Sequence, residues 1–133
     1  MAISDFGLGW SHFCDVRAGR RTCQGSDRRS GEPSGRHRSG HIPGAINLNW
    51  LDTIDTNNHL RLKPRRILED ILETRQILPA HEVITYCQTH HRSAHTWMLL
   101  KFLGYPTVRG YPGSWSEWGN DPETPIQTLS DAN

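Results

Sequence analysis

The fold of this chain is decided by one stretch, VITYCQTHHRSAHTW at residues 83–97. A short β-branched and aromatic run ends in Cys87, and a compact polar loop then leads directly into a helical pattern. That order places the Cys87 thiol at the carboxyl end of a strand, facing the amino end of a helix. Free backbone N–H groups and the positive end of the helix dipole favour an anion at such a position. The stretch therefore predicts a Cys87 thiolate, which is the nucleophilic form of cysteine.

Strand and helix patterns alternate on both sides of this stretch. Predicted strands cover residues 13–16, the segment after the Pro-Gly turn at 43–44, residues 83–86 and residues 107–111. Predicted helices run from Pro64 to about Gln76 and from Ala94 to Leu103, and a short turn or helix begins at Ser114. This alternation is typical of an α/β fold, with a mainly parallel sheet and helices on both faces. Ligands in such folds bind off the carboxyl ends of strands, where Cys87 lies.

Size and composition favour one domain over residues 1–133 and exclude several classes of protein. A chain of 133 residues is long enough to bury its own core. With 15 basic and 14 acidic residues the formal net charge is +1, which provides no overall field for nucleic acid. The mean hydropathy is −0.66 and no apolar run approaches the length of a membrane span, so we expect no membrane partner. Three irregularly spaced cysteines do not form a disulfide framework, and we expect a reducing, cytoplasmic location.

Residues 17–40 differ in composition from the rest of the chain. Arginine, glycine and serine dominate this segment, and it contains no aliphatic side chain larger than that of alanine. Such a segment cannot bury an apolar face. We therefore expect residues 17–40 to form an irregular or disordered loop that is exposed to solvent.

Three motifs, in order along the chain, resemble the rhodanese, or thiosulfate sulfurtransferase, family. The first is Gly-His-Ile-Pro-Gly-Ala at residues 40–45, the second is the loop opened by Tyr86 and Cys87, and the third is Gly-Tyr-Pro-Gly-Ser-Trp-Ser-Glu-Trp at residues 110–118. The third is similar to a signature of the catalytic, carboxyl-terminal domain of tandem rhodaneses and mercaptopyruvate sulfurtransferases. The resemblance runs from about Asp15 to Pro125 and is weakest over residues 17–39.

The resemblance implies a rhodanese-type sulfurtransferase that works through a Cys87 persulfide. Thiosulfate, or a related donor, would present its outer sulfur to the thiolate, and a thiophilic acceptor such as cyanide, a thiol or a protein would then remove it. Amide N–H groups of the loop would surround the sulfur, and the loop residues are Gln88, Thr89, His90, His91 and Arg92. Arg92 would anchor the loop or hold the anionic donor. The resemblance implies no cofactor and no metal.

The sequence departs from the family pattern at two places. The loop usually has a glycine where this chain has His90, and histidine accepts a positive φ less readily than glycine does. After Asp15 and Arg17 the family carries an acidic-aromatic pair or an arginine, and here Arg20 is the candidate ligand for the substrate anion. Partial protonation of His90 and His91 near neutral pH would also attract an anionic donor or tune the thiolate.

Three alternatives stay open on the sequence alone. Cysteine phosphatases and arsenate reductases share the cradled thiolate, but their loop follows Cys-x5-Arg, and here Arg92 comes one residue earlier. A rhodanese-like module that binds or senses without turnover is the second alternative. A metal site of Cys87, His90, His91 and His95 is the third, although zinc sites usually gather ligands from spacings such as Cys-x2-Cys.

Overall fold

The computed structural model describes residues 11–15 and 38–128, and its main framework is a four-stranded parallel sheet. The elements in chain order are β1 (Ser11–Asp15), β2 (Ile46–Asn47), a 3-10 helix (Trp50–Thr53), β3 (Ile54–Asp55), β4 (Arg61–Leu62), α1 (Arg65–Thr74), β5 (Glu82–Tyr86), α2 (His91–Phe102), β6 (Val108–Gly110) and α3 (Ser114–Trp118). The strand order is β2-β1-β5-β6, and each neighbouring pair is parallel. Strands β3 and β4 form a separate antiparallel pair.

Strand β5 lies between β1 and β6 and is buried from Val83 onward. Because successive side chains of a strand point to opposite faces, β5 contributes to two apolar clusters. Val83 and Cys87 belong to the first cluster, while Ile84 and Tyr86 belong to the second. The β-branched run therefore forms the doubly buried strand that its composition predicts.

Helices cover both faces of the sheet, which confirms the predicted α/β fold. Helix α1 contributes Leu72 and helix α2 contributes Leu100 to the first cluster, on the face of Val83. Helix α3 contributes Trp115 and Trp118 to the second cluster, on the opposite face. The tryptophans of the third motif are thus part of the core on one side of β5.

Helix α1 begins directly after Pro64, as predicted, because proline fits the start of a helix but not its interior. Leu68 and Leu72 are buried and Ile71 is half-buried. Ile67 belongs to the same apolar pattern, which consists of positions 67, 68, 71 and 72, but it is 45% exposed. The pattern spans a wider arc of the helix than the sheet covers, so its edge position faces solvent.

Helix α2 begins at His91, earlier than the predicted start at Ala94. The Ala94 N–H donates to the His90 carbonyl at 2.9 Å, and it is the first amide that this helix satisfies internally. The N–H groups of the three residues before Ala94 are therefore left for other acceptors. At the other end, Gly104 follows the helix with a φ of 91°, a left-handed conformation that suits glycine.

The basic segment is described only from Arg38 onward, and residues 17–37 lie outside the described residues, as do both ends of the chain. Arg38 is half-buried rather than solvated. Its guanidinium donates to the carbonyls of Thr124, Trp118 and Gly119 at 2.9, 3.1 and 3.2 Å. The exposed position that composition predicted is therefore wrong for Arg38, because composition does not reveal that a cluster of carbonyls lies within its reach.

Among the described residues, no helix combines the length and the apolar character that a membrane span requires.

The β3–β4 pair and the 3-10 helix before it, over residues 50–62, were not predicted from the sequence. This part of the chain lacks a clear period in its apolar residues, and its turn is closed by local hydrogen bonds such as Asn57 N–H to Asp55 Oδ1 at 3.1 Å.

Candidate active site

Cys87 is the first residue after β5, at the carboxyl end of the strand. It is a free cysteine and is 1% exposed. Beyond it, residues 88–90 form a bend, and α2 then begins at His91. The strand, the bend and the helix thus bring the sulfur to the amino end of α2, as the sequence predicts.

Four hydrogen-bond donors converge on the Cys87 sulfur. They are the backbone N–H groups of Thr89, Arg92 and Ser93 and the Ser93 hydroxyl. Burial by itself would raise the pKa of the Cys87 thiol, but these donors outweigh burial and bring the pKa below its ordinary value. Two of the donors are amides that α2 leaves unpaired in its first turn. The arrangement stabilises a thiolate on a sulfur that is shielded from solvent.

The chain reverses direction at His90, whose φ of 69° and ψ of −3° lie in the left-handed region. This reversal turns the amides on both sides of His90 toward the sulfur. The His90 ring folds back on the loop, and its Nδ1 lies 2.6 Å from the Ser93 Oγ. His90 therefore takes the backbone conformation of a glycine and adds a side-chain contact that glycine lacks.

Residues of the third motif hold the base of this loop. The Ser114 Oγ accepts a hydrogen bond from the Cys87 N–H at 3.3 Å and donates to the Tyr111 carbonyl at 2.8 Å. The Trp115 N–H donates to the Cys87 carbonyl, and the Ser116 N–H donates to the Gln88 carbonyl, both at 3.0 Å. The start of α3 thus fixes the main chain on both sides of the sulfur.

The sequence reasoning did not assign Ser93 and Ser114 to the site. Ser93 was not predicted because it directly follows Arg92, the residue assigned to the anion, and lies next to the predicted helix, where a serine gives no distinctive signal. Ser114 was part of the quoted motif, but its role depends on a tertiary contact between α3 and β5. The signal available for Ser114 was its position at the start of the predicted short turn or helix, near the small residues Gly113 and Ser116.

The predicted loop residues occupy different places around Cys87. Thr89 and His91 are exposed, while Gln88, His90 and Arg92 are half-buried. Thr89 and Arg92 contribute their backbone amides, and no described residue accepts a hydrogen bond from the Arg92 guanidinium. Arg20 lies outside the described residues, so its predicted contact with the substrate anion stays a prediction.

The charge predicted for His90 differs in the structure. Burial and the charge of His91 both lower the pKa of His90 below its ordinary value, so His90 is neutral near pH 7. Burial likewise lowers the pKa of His95, whose ring packs edge-on against Trp50 at 5.8 Å between centroids. A donor anion is therefore not attracted by a charged His90, and the Arg92 guanidinium is the nearest permanent positive charge in the loop sequence.

The described residues contain no group of three or more histidine, cysteine, aspartate or glutamate side chains that could hold a metal ion. His95, one of the four ligands of the alternative metal site, instead packs its ring against Trp50. A metal centre at Cys87 has no support from this part of the chain.

Comparison with known proteins gives one family and several named relatives. The model of the Rhodanese-like domain family matches residues 11–121. The thiosulfate sulfurtransferases of Pseudomonas aeruginosa and Azotobacter vinelandii are 52% and 49% identical over 90 residues, which is 68% of this chain and 32% of each relative. The sulfur carrier protein TtuD of Thermus thermophilus is 40% identical over 90 residues, 67% of this chain and 31% of the relative. The chain thus spans about a third of the length of these relatives.

Solved structures with the same arrangement include EanB and an anaerobic ergothioneine biosynthesis enzyme from Chlorobium limicola. Wild-type EanB has a TM-score of 0.74 and 26% identity, with 90% of this chain and 28% of that chain covered. A variant of EanB that carries a cysteine persulfide, in a tetrahedral intermediate state with ergothioneine, has a TM-score of 0.68 and 28% identity, with 88% and 28% covered.

Proposed function

This chain belongs to the rhodanese-like family, and from that membership we propose that it transfers sulfur from thiosulfate through a persulfide on Cys87. One observation supports this proposal above the others. Three backbone amides and one hydroxyl point at a single buried sulfur atom, and together they favour its ionised form. Such a site can stabilise negative charge on a sulfur without moving any of its donors. The relatives named thiosulfate sulfurtransferase agree with this chemistry.

The proposed reaction has two steps, each with a balanced transfer of sulfur. In the first, the Cys87 thiolate attacks the outer sulfur of thiosulfate; a new S–S bond forms, and the old S–S bond breaks with its electron pair leaving on sulfite. In the second, cyanide or a thiolate attacks the outer sulfur of the persulfide and releases the Cys87 thiolate. We expect the donors that favour the thiolate to stabilise the negative charge of the persulfide between the steps as well.

The donor is proposed from charge and loop length. Thiosulfate is a dianion, and Arg92 offers it a guanidinium that no described residue binds. Arg20 is proposed as a second ligand on the basis of the family resemblance. The cradle is one residue shorter than a phosphatase loop, which favours a single sulfur over a tetrahedral phosphate.

The acceptor is proposed as a small thiophile, either cyanide or a thiol. A protein acceptor is the second option, because one relative is named a sulfur carrier protein. We propose a cytoplasmic location, where a reducing environment would keep cysteines such as Cys14 and Cys87 from forming disulfides.

The decisive experiment measures sulfur on Cys87 directly. The protein is incubated with thiosulfate, and mass spectrometry of its peptides is expected to show one added sulfur atom on the Cys87 peptide. Cyanide is then expected to remove that atom as thiocyanate. Cys87→Ser is expected to give neither product, whereas Cys14→Ser is expected to give both.

The alternatives predict different results in the same experiment. A module that binds without turnover would take up no sulfur from thiosulfate. A cysteine phosphatase would hydrolyse p-nitrophenyl phosphate and leave Cys87 without added sulfur. Mercaptopyruvate, tested in parallel, identifies the donor, and faster turnover of mercaptopyruvate than of thiosulfate would contradict the proposed donor.

A further inference from the structure

A chain of two hydrogen bonds links the His90 ring to the sulfur through Ser93. The Nδ1 of His90 lies 2.6 Å from the Ser93 Oγ, and the Ser93 hydroxyl also contacts the Cys87 sulfur. Ser93 is fully buried, so its hydroxyl has no solvent partner. A hydroxyl has one proton, and here two groups compete for it.

The protonation state of the sulfur decides which group receives that proton. A thiolate can only accept a hydrogen bond, so contact with the Ser93 hydroxyl requires the hydroxyl proton to point at sulfur. The 2.6 Å contact with His90 then requires a proton on Nδ1, donated to the Ser93 Oγ. Burial and the charge of His91 lower the pKa of His90, so the ring carries this proton as a neutral tautomer near pH 7.

We propose that His90 is a positioning residue for Cys87, because its Nδ1–H donates to the Ser93 Oγ and thereby commits the single Ser93 hydroxyl proton to the sulfur. This inference rests on the proposed function only in taking Cys87 as the reacting atom. It gives a role to the side chain that replaces the usual glycine of the loop. That role concerns the orientation of one proton and adds no charge to the site.

The surroundings of His90 support a fixed position for its ring. A Cβ placed on Gly110 would lie 2.5 Å from both Cε1 and Nε2 of His90, so the ring occupies the space that a side chain at position 110 would need. Gly110 presents no titratable group to the ring, and the electrostatic effect on the ring comes from His91. In addition, His90 holds a left-handed conformation that disfavours side chains by roughly 1–2 kcal/mol. A residue that keeps a strained backbone conformation, and whose ring fills a space left by a neighbouring glycine, is a candidate for a functional role.

Two substitutions at position 90 separate the backbone from the hydrogen bond. His90→Gly suits the left-handed backbone better than histidine does, but it removes the donor to Ser93. His90→Asn also tolerates this backbone, and its Nδ2–H group is as many bonds from the main chain as Nδ1 of histidine. His59→Gly is the matched control, since His59 is exposed and also has a positive φ, of 53°, in the turn between β3 and β4.

The measurement is the pH dependence of iodoacetamide alkylation of Cys87, followed on the Cys87 peptide by mass spectrometry. Because the thiolate is the reacting form, the midpoint of this profile reports the pKa of the Cys87 thiol. We expect His90→Gly to raise that midpoint and to slow alkylation below it by about tenfold, the effect of about one charge-assisted hydrogen bond. His90→Asn and His59→Gly are expected to stay within about threefold of the unsubstituted protein.

Two results would overturn the inference. One is an alkylation profile of His90→Gly that matches the unsubstituted protein. The other is a profile of His90→Asn that matches His90→Gly, since the loss would then come from the ring's packing and not from its donor. Sulfur uptake from thiosulfate by the unsubstituted protein is measured separately, and its absence would count against the proposed function while leaving the alkylation profiles to decide the role of His90.

Discussion

Cys14 and Cys87 lie in the same apolar cluster, Cys14 within β1 and Cys87 directly after the neighbouring strand β5, yet the hydrogen-bond donors available to the two sulfur atoms differ. Neither forms a disulfide, and both are 1% exposed. Cys14 stands inside β1, in register with Ile46 of β2 and Thr85 of β5. Cys87 stands just beyond β5, where the chain leaves the sheet. Burial alone therefore does not distinguish a structural thiol from a nucleophile.

The difference comes from how the backbone amides near each sulfur are used. Around Cys14 the main chain is paired on both sides by parallel strands, so its amides are committed to the sheet. Around Cys87 the sheet has ended and α2 has just begun, so three amides and the Ser93 hydroxyl are available for the sulfur. A strand end followed by a helix start supplies anion-binding donors that a strand interior lacks.

Substitution of each cysteine in turn is expected to give the largest difference in activity between the two sites. Cys87→Ser is expected to lower the rate of cyanide-dependent thiocyanate formation to below about one-thousandth of that of the unsubstituted protein. The reason is that the serine hydroxyl is not ionised at neutral pH and does not attack the donor sulfur. Cys14→Ala is expected to keep the rate within about threefold while reducing the free energy of unfolding by about 1–2 kcal/mol, because it leaves a small cavity in the core. Turnover assays and urea unfolding of both variants make the comparison. Equal losses of activity in the two variants would contradict the assignment of Cys87.

The sequence was sufficient to predict the parts of this contrast that depend on local pattern. The apolar run of β5, the proline at the start of α1 and the position of Cys87 at a strand end were all predictable, because each follows from periodicity or from the conformational limits of one residue type. The three motifs also indicated the family, and the match of the Rhodanese-like domain model to residues 11–121 confirms it.

Features that depend on contacts between distant segments could not be predicted. Ser114 reaches Cys87 only because α3 packs under the end of β5. Arg38 is half-buried only because backbone carbonyls of a distant segment, among them that of Thr124, accept hydrogen bonds from its guanidinium. The early start of α2 was also missed, since the loop residues at 91–93 have no apolar period. Neutral His90 depends on burial, which sequence pattern does not report.

Removal of the Ser114 hydroxyl tests whether the hydrogen bonds that hold the main chain at Cys87 matter for turnover. Strand β1, which contains Cys14, is not changed by this substitution. Ser114→Ala deprives the buried Cys87 N–H of its acceptor and the Tyr111 carbonyl of a donor. We expect a loss of about 1–3 kcal/mol in the free energy of unfolding and a decrease of about tenfold in the turnover rate, as the loop base shifts. Steady-state assays with thiosulfate and urea unfolding measure both quantities.

Ser116→Ala is the matched control for that substitution. The Ser116 hydroxyl donates to the Gly113 carbonyl at 2.6 Å, whereas its contribution to the loop is made by its backbone N–H, which alanine keeps. We expect a loss of about 0.5–1.5 kcal/mol in stability and a smaller loss of turnover than in Ser114→Ala. If Ser116→Ala reduced turnover as much as Ser114→Ala, a general weakening of α3 would explain both.

The smallest expected effect is a pH dependence of stability that Cys87 has and its serine variant lacks. The donors around Cys87 place the pKa of its thiol in the folded protein below the ordinary value of about 8.5 for an unfolded chain. Between the two pKa values the unfolded chain binds more protons, so this group adds stability as the pH rises through that window. The contribution is fully present above the unfolded pKa and is lost as the pH falls through the folded pKa. Urea unfolding from about pH 6 to about pH 9 should therefore show a growing stability gap between the unsubstituted protein and Cys87→Ser. Cys14→Ser, which keeps the Cys87 cradle, should follow the unsubstituted protein in its pH trend, and a constant or shrinking gap would mean that the donors do not favour the thiolate.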